Sequence, residues 1–159
     1  MSHRCIGDGA RLLGESRLAE ALACFAESSE PAALFGTAVC LQLLGRFEEA
    51  LAAYESVLAV DSHHAEALQN LVAMSVERFD LEHVRRWSLR LLEIDPESPV
   101  ALQGLVLVAL ERREYELAAS YFSRLGDGAA WQEGAIEYRV TRERLARLRS
   151  TNGSLTHSY

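Results

Sequence analysis

Apolar positions along the chain recur with a helical period. Between residues 31 and 44 they fall at Leu34, Ala38, Leu41 and Leu44, three or four apart, which places them on one face of a helix. Gly45-Arg46 interrupts the stripe, and glycine is a natural helix terminator. A second stripe follows in Phe47, Ala50, Leu51, Tyr54, Val57 and Leu58 and ends at Asp61-Ser62. Further along, Asp95-Pro96 closes a similar stretch, and Ser98-Pro99 reads as an N-cap with proline in the first helical turn. Pro31 opens its helix in the same way.

The pattern repeats. Displaced by 34 residues, Ala33, Ala67 and Ala101 align, as do Leu34, Leu68 and Leu102, and Phe47, Leu81 and Tyr115. Ala50, Val84 and Ala118 and then Val57, Leu91 and Leu125 follow in phase, and Asp61 and Asp95 close two units. The spacing predicts helix pairs over 31–64, 65–98 and 99–128. A fourth, degenerate unit over 4–30 precedes them. There Leu18, Ala21, Leu22 and Phe25 match Phe47, Ala50, Leu51 and Tyr54 at a shift of 29, so its second helix is cut short near Ser28-Ser29. A helix pair this small cannot bury its own apolar face. Stacking several pairs makes one continuous core.

The stretch Leu44-Gly45-Arg46-Phe47-Glu48-Glu49-Ala50-Leu51-Ala52-Ala53-Tyr54 resembles the central signature of the tetratricopeptide repeat (TPR) family, and Leu92-Glu93-Ile94-Asp95-Pro96 resembles its closing signature. The resemblance implies an all-α, right-handed superhelical TPR solenoid of helix-turn-helix repeats, about nine helices in all, forming a single domain over 1–149. A capping helix over 129–149, with Arg142, Arg144, Arg147 and Arg149 toward water, is expected to close it, and residues 150–159 read as a disordered tail. There are departures. The middle unit has Phe79 where the family prefers glycine, Val84 where it prefers alanine, and Ser88 where it prefers an aromatic, with Trp87 next door to compensate. Val72 and Val106 stand where Ala38 supplies the usual small residue.

Composition and charge narrow the function. The 159-residue chain is 49% hydrophobic with a net charge of -7, which argues against nucleic-acid binding, since proteins that grip phosphates carry a basic face. The charge is uneven: residues 131–159 carry five Arg against three Glu, a balance of +2, which leaves about -9 for the rest. All 16 basic residues are Arg, so neither a lysine Schiff base nor a Walker-type phosphate loop is available. Three scattered cysteines, Cys5, Cys24 and Cys40, fit reduced thiols, with Cys40 in the core. No secretory signal is read at the N-terminus, and the longest apolar run, Leu105 to Leu110, is too short to span a bilayer. A cytoplasmic protein is expected.

No catalytic motif appears, neither a nucleophile elbow nor a metalloprotease helix, and no cofactor is implied. His63-His64 lack the further ligands a tetrahedral metal site needs and read as solvated turn residues. His83 is isolated, and Glu48, Glu49, Glu111, Glu114 and Glu116 read as solvated helix charges.

The resemblance does point to a binding surface. First helices of TPR pairs line a concave groove that takes an extended or helical peptide. Carried onto this chain, the lining is Phe35, Val39 and Gln42, then Glu66, Gln69, Asn70, Ala73 and Glu77, then Gln103, Leu107, Leu110 and Glu111. It combines apolar groups, side-chain amides and acids, with no Lys or Arg. The family's carboxylate clamp for acidic C-terminal tails needs basic residues, and only Asn70 resembles one of its members. The expected partner is therefore a protein or peptide segment that is apolar, neutral or mildly basic. A non-enzymatic adaptor or scaffold is the reading the residues favour. A homo-oligomerising assembly module and a cytoplasmic secretion-type chaperone are the alternatives.

Overall fold

The computed structural model describes residues 2–126, with side chains from Cys5 onward. Eight α-helices follow one another: α1 (Ser2–Gly14), α2 (Leu18–Phe25), α3 (Pro31–Leu43), α4 (Phe47–Val60), α5 (Ala65–Glu77), α6 (Leu81–Ile94), α7 (Pro99–Glu111) and α8 (Tyr115–Arg124). No strand occurs among the described residues. The expected end of the third repeat at Gly128, the capping helix over 129–149 and the tail over 150–159 lie outside them.

Four of the interhelical turns are built alike. Ser16, Gly45, Phe79 and Arg113 all take left-handed backbone, with φ of 60°, 73°, 55° and 60°. In each, the amide of the left-handed residue bonds back three residues and the next amide bonds back five, as in Gly45 N–H to Gln42 C=O and Arg46 N–H to Leu41 C=O. This double bond pattern satisfies the orphan carbonyls at the end of the preceding helix. The four positions are 29, 34 and 34 residues apart, the separations at which the side chains align. Only one of the four is glycine, so Phe79 and Arg113 hold a conformation that costs an L-residue about 1–2 kcal/mol.

Two of the other three turns use aspartate. Asp61 and Asp95 end α4 and α6, and each carboxylate accepts from the amide two residues on, His63 at 3.0 Å and Glu97 at 3.2 Å. Pro31 and Pro99 occupy the first turns of α3 and α7. Ser98 holds the N-cap position but does not cap: its hydroxyl is buried without a described partner. The fixed proline ring already sets the helix entry, and its missing N–H removes one of the groups a cap would serve. Asp80 is the side-chain cap that the sequence reading passed over. It accepts from the His83 amide at 3.2 Å and pairs with the His83 ring at 2.7 Å, which holds its carboxyl below the usual carboxylate range.

The chain forms two compact units, residues 1–74 and 75–159. In the first, α1 packs on α2 and α3, α2 on α3, and α3 on α4. Leu12, Ala21, Phe25, Ala33 and Cys40 form the core beneath α1–α3. Burial raises the Cys40 thiol pKa, so the group stays protonated as a packing element. The Phe25 ring lies between two glycines: a Cβ on Gly9 would come within 2.8 Å of it, and one on Gly36 within 2.6 Å. Ala50, Tyr54, Val57 and Leu58 of α4 are buried, while Phe47 is 39% exposed and Leu44 is 40% exposed. Both flank the α3–α4 turn, where the predicted stripes run past the last packed turn of each helix.

In the second unit, α7 packs against α6 and α8. Leu102, Val106 and Leu125 form its core with Leu92, Leu110, Tyr121 and Phe122 around them. Trp87 and Ser88 are both buried.

Candidate partner-binding groove

Phe35, Val39 and Gln42 lie on α3 at spacings of four and three, and Glu66, Gln69, Asn70 and Ala73 lie on α5 at spacings of three, one and three. Each set therefore shares one helix face. Phe35, Val39, Gln42, Gln69 and Asn70 are half-buried, and Glu66 and Ala73 are exposed.

A buried tyrosine joins three of them. The Tyr54 hydroxyl donates to Gln42 Oε1 at 2.7 Å and accepts from Asn70 Nδ2 at 2.9 Å. Its side chain is completely buried, and the Phe35 ring meets it edge-on with centroids 5.9 Å apart. Burial pushes the phenol pKa up to about 12, with the Asn70 hydrogen bond opposing the rise. The phenol is therefore a neutral hydrogen-bonding post, unable to act as a base near neutral pH.

His64 completes the cluster. Its ring stacks on Phe35 at 4.8 Å with planes 25° apart, and its Nδ1 accepts the Ala67 amide at 3.2 Å. His64 is thus the N-cap of α5 and half-buried, not a solvated turn residue. The half-buried apolar ring of Phe35 on α3 supplies the surface against which the imidazole stacks. Accepting at Nδ1 requires the proton on Nε2.

The second unit holds the remaining residues. Glu77 ends α5, and Gln103, Leu107 and Glu111 are spaced by four along α7. Leu107 is half-buried and the other three are exposed. Leu110 is half-buried and packs with the Leu102–Val106–Leu125 core, so it belongs to the interior more than to a lining.

Sequence reasoning placed Tyr54 in the core but passed over its hydroxyl. The signal was present: a buried tyrosine must find a polar partner, and amides stand on both neighbouring first helices. Among the described residues no group of three or more His, Cys, Asp or Glu is placed to hold a metal ion. None of their helices is long and apolar enough to cross a membrane.

Comparison with known proteins agrees with this architecture. No curated protein matches the chain in sequence. Among solved structures, a tetratricopeptide repeat protein from Parabacteroides merdae superposes with a TM-score of 0.72 at 20% identity, covering 99% of this chain. This chain spans 66% of that protein, just under two thirds of its length. MamA from Desulfovibrio magneticus RS-1 superposes with a TM-score of 0.71 at 15% identity, covering 96% of each chain. The Sgt2 TPR domain from Aspergillus fumigatus gives 0.60 at 17% identity, covering 74% of this chain and 83% of that one. The fold is that of the TPR proteins. The sequence profile of the coatomer epsilon subunit matches residues 11–100, more than half of the chain. The chain belongs to the coatomer epsilon subunit family, whose fold is of the TPR type.

Proposed function

We propose that this protein is a non-enzymatic scaffold that holds a segment of a partner protein along the first-helix faces of α3 and α5. The observation that carries this reading is the Gln42–Tyr54–Asn70 chain of hydrogen bonds. It occupies Gln42 Oε1 and one Asn70 N–H, and leaves Gln42 Nε2 and Asn70 Oδ1 with no described partner. An amide donor and an amide acceptor are the groups that pair with the C=O and N–H of a peptide backbone. Because Tyr54 fixes both amides beforehand, little side-chain freedom is lost when a segment docks. Phe35 and Val39 add apolar surface beside them.

On these faces the acid Glu66 of α5 favours a neutral or mildly basic segment over an acidic one. Gln103, Leu107 and Glu111 repeat the mixture of amide, apolar group and acid on α7. The family's name is that of a subunit, which agrees with work done inside a larger assembly.

The test is co-purification from the native host with wild-type protein and with a Phe35→Ala/Asn70→Ala variant of unchanged circular dichroism. A partner retained by the wild type and lost by the variant supports the reading. Retention of every partner by the variant removes it.

A further inference from the structure

We propose that His64 is a proton-controlled gate on the Phe35 face of α3: as a neutral ring it caps α5 and covers Phe35, and on protonation it releases both. Its Nδ1 accepts the Ala67 amide at 3.2 Å, and the ring lies over Phe35 with centroids 4.8 Å apart and planes 25° apart. Protonation turns Nδ1 into a donor, so two N–H groups would face each other where the cap had been. It also puts a cation at the N-terminus of the 13-residue α5, the positive end of the helix dipole. A cation gains attraction to the phenyl face, but at such a site that gain is comparable to the lost cap alone, and the dipole tips the balance. The imidazole covers one face of Phe35, which a partner side chain cannot reach while it stays, and its departure opens that face. The consequence for a partner rests on the α3 and α5 faces being the binding surface.

The surroundings do little to hold a charged ring. α3 carries no charged residue, and its Cys40 is a buried thiol kept protonated by burial. From α4, Tyr54 meets Phe35 edge-on and is itself held neutral by burial. The carboxylates that flank these helix ends in sequence are Glu30 before α3, Glu55 late in α4, Asp61 after it and Glu66 in the first turn of α5. Asp61 already accepts from the His63 amide at 3.0 Å. Glu55, Asp61 and Glu66 are exposed, where water and salt screen their pull on an imidazolium. The neighbouring His63 is exposed, with its Nδ1 at 3.1 Å from the Ser62 hydroxyl. No salt bridge to His64 occurs among the described residues.

Nuclear magnetic resonance of isotope-labelled protein, from about pH 8 to about pH 5, tests the gate without any partner. The neutral His64 ring is expected as the Nε2–H tautomer, with a cross-peak to the Phe35 ring. As its ring nitrogens report protonation, the cross-peak should vanish and Ala67 amide protection from hydrogen exchange should fall about fivefold. The Phe35 ring protons should then relax faster in added hydroxy-TEMPO, a soluble paramagnetic probe. His64→Asn keeps an acceptor that does not titrate, so its Ala67 protection should not change with pH and Phe35 should be open throughout. His63→Ala should behave as the wild type. The gate is overturned if the protonated ring keeps its cross-peak to Phe35, if Ala67 stays equally protected, or if His64→Asn loses protection with acid as the wild type does. A second arm separates the gate from the binding reading. The co-purified partner should be captured at least about threefold better by the wild type at about pH 6 than at about pH 7.5, and equally at both by His64→Asn. Unchanged capture despite release of the ring overturns the gate. Capture that survives Phe35→Ala/Asn70→Ala overturns the binding reading instead.

Discussion

The hydroxyl of Tyr54 donates to Gln42 Oε1 at 2.7 Å, from a side chain with no exposed surface. A core residue of α4 thereby sets the orientation of a half-buried amide on α3, and Asn70 on α5 closes the chain at 2.9 Å. Tyr54→Phe keeps the ring and deletes both bonds. It is expected to cost about 1–2 kcal/mol in urea unfolding, because Gln42 and Asn70 lose their buried partner. It should weaken partner binding more than an exposed substitution such as Ala52→Ser. A variant as stable as wild type would mean that the relay contributes nothing to the fold.

Alkaline pH probes the same group. The Tyr54 pKa is raised from 10 to about 12, so between those values the folded state keeps a proton that the unfolded state has lost. Stability from this source is complete below pH 10 and is lost as pH rises through the folded value. The full span corresponds to about 3 kcal/mol. Unfolding midpoints measured from pH 9 to 12 should fall more steeply for the wild type than for Tyr54→Phe. Parallel curves would contradict the burial of this phenol.

Packing around Phe25 gives a third expectation. Gly36→Ala puts a methyl group within 2.6 Å of the ring, which Gly9 confines from another helix. Alanine is the better helix former, yet overpacking should dominate, with a loss of about 1–3 kcal/mol. In a Phe25→Leu background the same change should cost less by about 1 kcal/mol or more, because the smaller side chain makes room. Additive losses in a double-mutant cycle would show that the two positions do not compete for space.

His64 gives a fourth. His64→Ala removes the N-cap of α5 and the stack on Phe35, and should cost about 1 kcal/mol. His64→Asn restores the capping acceptor and should recover most of the loss in thermal unfolding. Equal losses for the two variants would assign the effect to the ring stack and not to the cap.

Much of the fold was legible because its causes are local and periodic. The 34-residue register depends on which residues face inward, and Ala33, Ala67 and Ala101 are each fully buried where it puts them. Turn chemistry was half legible. Gly45 announced a left-handed position, but Phe79 and Arg113 occupy the same position without the residue type that marks it. Tertiary packing overrides propensity there. The Tyr54 relay and the His64 cap were not legible, since both depend on which side chains from separate helices come within hydrogen-bond reach. Phe47 was misplaced because periodicity cannot tell where along a helix the packed face ends.

The central claim is that the first-helix faces of α3 and α5 hold a partner segment. Site-specific photo-cross-linking in the native host tests it most directly, with a benzoylphenylalanine replacing Gln69 on α5 or, in a second protein, Ala52 on α4. The account predicts a discrete adduct with a partner protein from position 69, lost when Phe35→Ala and Asn70→Ala are added, and none from position 52. An adduct from position 52 alone, or one from position 69 that survives those substitutions, would contradict it.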